Sequence, residues 1–356
     1  MPFSPNPIRI SDPIYDNYTF KLGFNQPLFT GFKLSSLKKS AKLNLEASES
    51  DYSKEENETK FNIYNAYWNY YKAAEIQKVI AQTLEQMGEH LKDTKNFYEN
   101  GLVAKNDLLK LEVQYSNTKL MLIEADNYVE IARIAFNKSI GVEITSETKL
   151  RADELSINTE KYELADIIDE ALKNRKELKS LSYRLEASKE GITAAKANWM
   201  PSLYLSGNYY YTNPNQRFQP AKNEFNSNWE LGVTLSWDVW NWGLTSSQVS
   251  QAEQTKIQIE TNVDQLKENI QMEVYSNFLN MNKYDEKVNV SKETLKQALE
   301  NYRVTSEKYN TQLATSTDLI DAETSKLTAQ TNLKNAEVDY QIAKVKLEKS
   351  LGRIIY

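Results

Sequence analysis

The 356-residue chain holds only 10 Gly and 8 Pro, roughly 3% and 2% against about 7% and 5% in ordinary proteins, so it is written for long helices rather than loop-rich domains. Lys and Arg number 43 against 49 Asp and Glu, a net charge of −6 with both signs interspersed, which leaves no basic footprint for nucleic acid. Cysteine is absent and His90 is the single histidine, which excludes disulfide scaffolds, Cys/His zinc sites, thiol nucleophiles and His-dependent triads.

In chain order, no charged stub with an apolar core opens the sequence, so no signal peptide is read. Residues 18–25 alternate Phe20, Leu22 and Phe24 against Lys21, Gly23 and Asn25, the period of a one-faced strand. Residues 32–98 contain no proline and read as one helix, which at 1.5 Å per residue spans about 100 Å. No globular core is that deep, so the helix must pack sideways on other long helices. It ends at Tyr98 and the polar turn Glu99-Asn100-Gly101-Leu102. The returning helix carries a heptad seam of Leu108, Tyr115, Leu122, Val129 and Phe136, with Leu111, Thr118, Ala125, Ala132 and Ser139 three further on.

Residues 141–175 read as a mixed segment with a short helix near 166–173, and a helix over 176–199 stops at Pro201. Two alternating segments follow, 202–211 and 229–238, joined by a loop with Asn213, Pro214, Asn215 and Pro220 and read as a hairpin. Four of the six tryptophans, at 229, 237, 240 and 242, bracket strand ends, where the aromatic girdles of a membrane barrel sit. No run approaches 18 apolar residues, which excludes a transmembrane helix but not a barrel. A second proline-free helix, 244–309, ends at Tyr309 and the turn Asn310-Thr311-Gln312-Leu313. The last seam runs Leu319, Lys326, Leu333, Tyr340, Leu347 with Ala322, Ala329, Ala336, Ala343 and Ser350.

The chain repeats itself. Ala41 falls on Ala252 (252 − 41 = 211), and the same shift places Tyr64 on Tyr275, Tyr98 on Tyr309, Asp107 on Asp318 and Glu112 on Glu323. A gap-free register over more than a hundred residues is what long helices demand, since one insertion rotates everything after it by about 100°.

Strand, very long helix, tight turn and heptad helix, all duplicated, resemble the TolC-like outer-membrane efflux family. The residues that carry the likeness are Ala197-x-x-x-Pro201-Ser202-Leu203 entering a strand and Pro27-Leu28-Phe29-Thr30-Gly31 leaving one. The turns Gly101-Leu102-x-x-x-x-Asp107-Leu108 and Leu313-x-x-x-x-Asp318-Leu319, and the closing Gly141 and Gly352, add to it. The resemblance implies a mainly α fold with a small β part: barrel strands over 18–31 and 201–241, a helical tunnel from 32–140, 176–200 and 243–351, and an equatorial segment at 141–175. It implies a homotrimeric exit duct in the outer-membrane lipid, working with a periplasmic adaptor and an inner-membrane transporter, and neither an enzyme nor a cofactor binder. Gly101, Leu102, Ala104, Leu313 and Ala314 are then the tips that meet the adaptor. Asp318 and Asp321 match the carboxylates at the narrow periplasmic entrance, where three copies gather six like charges. Asp107 and Tyr309 sit where family members tie neighbouring helices shut, with Ala314 in place of the family's arginine.

Against the family pattern, the counterpart of Pro201 falls at 201 − 211 = −10, before Met1. The first strand, the helix before it and the export signal are therefore expected to be missing from a shortened form of a longer protein. Three strands per copy leave parallel neighbours at each subunit junction. The rival reading is a soluble coiled-coil scaffold, which stays soluble without detergent. His90, in Gly88-Glu89-His90-Leu91-Lys92, reads as a solvated surface side chain.

Overall fold

In the computed structural model, residues 14–150 and 162–355 are described. The elements are β1 (Tyr18–Phe29), α1 (Lys33–Glu99), α2 (Lys105–Ser139), α3 (Leu164–Asn174), α4 (Lys176–Lys196), β2 (Ser202–Asn213), β3 (Asn226–Ser236), α5 (Leu244–Asn310) and α6 (Ser316–Ser350). Both long helices have 67 residues and both returning helices have 35. Part of the mixed segment, residues 151–161, lies outside the described residues.

The element ends depart from sequence expectation where pairing decides them. β1 runs four residues beyond Asn25, past Pro27, which is tolerated because β1 is an edge strand whose register shifts between Pro27 and Phe29. β3 begins at Asn226 and stops at Ser236, paired to Ser202. The next residue before Ser202 is Pro201, which has no N–H to extend the ladder. The helix expected over 176–199 is α-helical to Lys196 and finishes as a 3₁₀ turn, Ala197–Trp199.

The chain forms two compact units. The first joins the chain up to Ser48 with Ser180–Val263. Its sheet has the order β1-β2-β3, antiparallel throughout. Where β1 hands over to α1, Gly31 adopts φ +61°, and a Cβ there would lie 2.8 Å from the Ala197 carbonyl oxygen and the Met200 Cβ. Only glycine permits that approach. Asn198 then ties two helix starts together, accepting from Lys33 Nζ (3.2 Å) and donating to Gln248 Oε1 (2.9 Å).

The second unit joins Glu49–Lys179 with Asp264–Tyr356. Its core packs Ile167 and Ala171 of α3 on Ile270, Val274, Met281 and Val288 of α5 and on Ala336, Tyr340 and Leu347 of α6. Arg175, between α3 and α4, fastens this packing by donating to Glu177 (2.7 Å), Glu273 (2.9 Å) and the Ser350 carbonyl (3.2 Å). Arg353 grips Glu170 with two parallel hydrogen bonds of 2.8 and 3.0 Å.

Candidate functional site

The sheet of the first unit is sorted by face, because alternate residues of a strand point to opposite sides. In register across it lie Phe20–Tyr211, Leu22–Tyr209–Trp229, Phe24–Gly207–Leu231 and Leu205–Val233. These side chains form one apolar face. It is open: Leu22 is 76% exposed, Trp229 72%, Val233 63% and Leu235 66%. A water-soluble sheet buries its apolar face; this one presents it. The opposite face carries Thr19, Lys21, Asn25, Tyr204, Ser206, Asn208, Tyr210, Asn228, Glu230 and Thr234. Trp237, Trp240 and Trp242 are exposed beyond the end of β3. No helix among the described residues is long and apolar enough to cross a membrane.

The two helical turns close in the same way. Gly101 (φ +72°) and Gln312 (φ +65°) take the left-handed conformation. Leu102 N–H reaches back to the Phe97 carbonyl (2.9 Å) and Leu313 N–H to the Lys308 carbonyl (2.7 Å), satisfying carbonyls that the helix ends leave free. Leu102 and Leu313 project outward, 51% and 79% exposed. Gly101 and Ala104 are exposed and Ala314 is half-buried.

The helix starts differ. Ala104 gives α2 no side-chain cap, whereas Thr315 and Asp318 form a reciprocal capping box on α6. Asp318 accepts from Thr315 N–H (2.9 Å) and Oγ1 (2.7 Å), and these bonds hold its carboxyl below the ordinary aspartate range. Asp321 is exposed one turn on. Asp107 lies 3.9 Å from Lys110 Nζ. Tyr309 is buried, and its hydroxyl meets Thr94 Oγ1 (2.6 Å) and Ser316 Oγ (3.4 Å). Since the Thr94 hydroxyl donates to the His90 carbonyl (2.7 Å), Tyr309 is the donor to Thr94. Tyr309 thus ties α5 to α1 and to the start of α6 within one chain.

The solvated reading of His90 is overturned. Its side chain is only 12% exposed, its Nε2 lies 2.9 Å from the Tyr302 hydroxyl, and Glu323 Oε2 is 3.9 Å away. Glu323 is fully buried, and Lys326 Nζ stands 2.8 Å from its Oε1, at an ion-pair distance but off the angle of a hydrogen bond. Lys326 also donates to Gln86 Oε1 (2.6 Å) and lies 3.5 Å from the centroid of the Tyr302 ring. Burial pushes the His90 pKa below its ordinary value, outweighing the Glu323 and Asp93 carboxylates that favour the proton. Burial first, then Glu323, pushes the Tyr302 hydroxyl up. The signal for this cluster is a lysine in the heptad seam, at a position where its neighbours one heptad away are Leu319 and Leu333.

The sequence model of the family described as "Outer membrane efflux protein" matches residues 5–142 and 167–353. The outer membrane protein TolC of Vibrio cholerae is 22% identical over 341 residues, 94% of this chain and 76% of the relative. The outer membrane protein TolC of Escherichia coli is 23% identical over 302 residues, 82% of this chain but only 61% of the relative. In fold, the crystal structure of the outer membrane protein VceC from Vibrio cholerae superposes with a TM-score of 0.81 at 18% identity, covering 98% of this chain and 84% of that one.

Proposed function

The chain belongs to the outer membrane efflux protein family, as an outer-membrane transport duct and not an enzyme, and on that premise we propose that three copies assemble into one channel. The sheet supplies barrel strands (18–31 and 201–241), and the helices of 32–140, 176–200 and 243–351 supply the wall of a tunnel, with 141–175 at its equator. The observation that carries this reading is the open apolar sheet face from Phe20 to Leu235, a surface that lipid covers and water does not. Two further features support it. Among the described residues β1 and β3 each keep an unpaired edge, open to pairing with further strands. Helix α2 exposes Val113, Leu120, Ile123, Tyr128 and Ile131, an apolar flank for an adjacent helix. The two hairpins read as one duplicated unit, since α1 and α5 start 244 − 33 = 211 residues apart and end 310 − 99 = 211 apart.

In this assembly Gly101, Leu102, Ala104, Leu313 and Ala314 are the tips offered to a periplasmic adaptor, through which an inner-membrane transporter delivers solute. Asp318 and Asp321, three of each, ring the entrance and attract cations. Asp107 and Tyr309 belong to the same closure. Val233→Arg on the lipid-facing side is expected to abolish outer-membrane insertion, because a charge at mid-membrane costs about 2–4 kcal/mol. Insertion unchanged in membrane fractionation overturns the barrel reading. Changing Asp318 and Asp321 to Asn is expected to weaken block of the channel by multivalent cations in a planar bilayer, and unchanged block removes the gate assignment.

A further inference from the structure

On the polar face of the sheet, among the described residues, two side chains carry charge: Lys21 on β1 and Glu230 on β3. They sit in adjacent rows, Lys21 beside Tyr210 and Glu230 beside Asn208, close to the sheet end that carries loop 214–225. Glu230 is a hub. Its Oε1 accepts from Asn208 Nδ2 (3.0 Å) and the Tyr210 hydroxyl (3.1 Å), and its Oε2 accepts from Arg217 Nη2 (3.1 Å). Arg217 comes from the loop. The loop start is fixed independently by Asn215, which is buried and donates to the Asn226 carbonyl (3.2 Å) and Asn228 Oδ1 (3.1 Å) while accepting from Arg217 N–H (3.0 Å). At the other end of the loop the Phe225 ring stacks on Tyr211 of the apolar face at 4.9 Å. Among the described residues the Lys21 ammonium pairs with no carboxylate; it lies 5.3 Å from the centroid of the Tyr210 ring.

We propose that Arg217 straps the start of loop 214–225 to the polar face by binding Glu230, and that this pairing leaves Lys21 as the uncompensated charge of that face, making the strapped mouth a collar that favours anionic solutes. The inference rests on the polar face lining the channel, the reading given above. Three copies then set three lysines around one axis, in a narrow low-dielectric ring where a charge acts over about the 8 Å screening length of physiological salt. The remaining charges of the loop, Lys222 and Glu224, offset one another.

Two readouts on the full chain separate the strap from the charge. In planar bilayers under a KCl gradient at low salt, Lys21→Gln and Arg217→Gln are each expected to lower the chloride-to-potassium permeability ratio, and Glu230→Gln to raise it, by roughly twofold. Trypsin cleavage after Lys222 is expected to quicken roughly two- to fivefold in Arg217→Gln and Glu230→Gln, the range of an exposed ion pair, and to stay unchanged in Lys21→Gln. The exchanged pair Arg217→Glu with Glu230→Arg should restore the slow cleavage, which separates a lost strap from a damaged fold. Equal cleavage in all variants overturns the strap, whether or not channels form. Glu230→Gln and Arg217→Gln shifting selectivity in the same direction overturns the collar. If Val233→Arg still inserts, the failure belongs to the barrel reading; if it does not insert and the three variants leave selectivity unmoved, the failure belongs to the collar.

Discussion

Helices α2 and α6 carry the same heptad seam but live in different surroundings. In α6, Leu319, Lys326, Tyr340 and Leu347 are buried together with Ala322, Ala329, Ala336 and Ala343. In α2, Leu108, Leu111, Thr118 and Ala125 are buried, yet Tyr115, Leu122, Val129 and Phe136 are only half-covered, and a row from Val113 to Ile131 stands open. The small residues of the seam are buried along the whole of α6, from Ala322 to Ser350, but in α2 only at Thr118 and Ala125, with Ala132 and Ser139 half-covered. Large and small positions differ alike, because α6 packs against α3 and α5, meets α1 through Lys326 and Gln86, and also touches α2. A repeated pattern therefore specifies a helix with a seam; the number of neighbours decides how much of the helix is interior.

That contrast can be broken most forcefully at Glu323 and its repeat counterpart Glu112. Removing Glu323 strands a buried Lys326, so Glu323→Ala is expected to cost about 3–5 kcal/mol, whereas Glu112→Ala, at a half-exposed position, should stay within about 0.5 kcal/mol. Urea denaturation of the detergent-solubilised protein measures both, and equal costs would show that the two hairpins are energetically alike. The tips give a smaller difference. Thr315→Ala should cost about 1 kcal/mol by opening the capping box of α6, while Ala104→Ser should gain up to that amount on the uncapped α2; helix content and urea midpoint report each.

The smallest effect is the pH response of His90, whose counterpart is Asn301. The folded-state pKa of His90 lies below its ordinary 6.5, so its contribution is fully present above 6.5. It is lost as the pH falls through that value, where the unfolded chain takes the proton and the folded chain resists it. Stability should drop by at most about 0.7 kcal/mol between pH 7 and 6. His90→Gln should flatten that part of the urea-midpoint profile, and a midpoint that rises on acidification would reverse the assignment.

Much of the molecule was legible beforehand. The breaker-free stretches gave both long helices to within a residue at each end, since a helix needs only local hydrogen bonds and stops at local signals such as Gly101 and Pro201. The alternation around Lys21 and Glu230 gave the two faces of the sheet, since strand parity is also local. The buried cluster was not legible. Nothing near His90 in sequence distinguishes it from a surface residue, because the groups that enclose it, Tyr302, Glu323 and Lys326, come from more than two hundred residues away.

The Glu230 hub shows the same limit at shorter range, for Arg217 reaches it only once loop 214–225 has folded back over its own hairpin. Periodicity and breakers, read along the chain, determine which residues form helix or strand and which side of each is apolar. Which charges are enclosed, which carboxylate meets which cation and which apolar face stays bare depend on what packs alongside. Those are tertiary decisions, because desolvation and ion pairing act through space and not along the backbone.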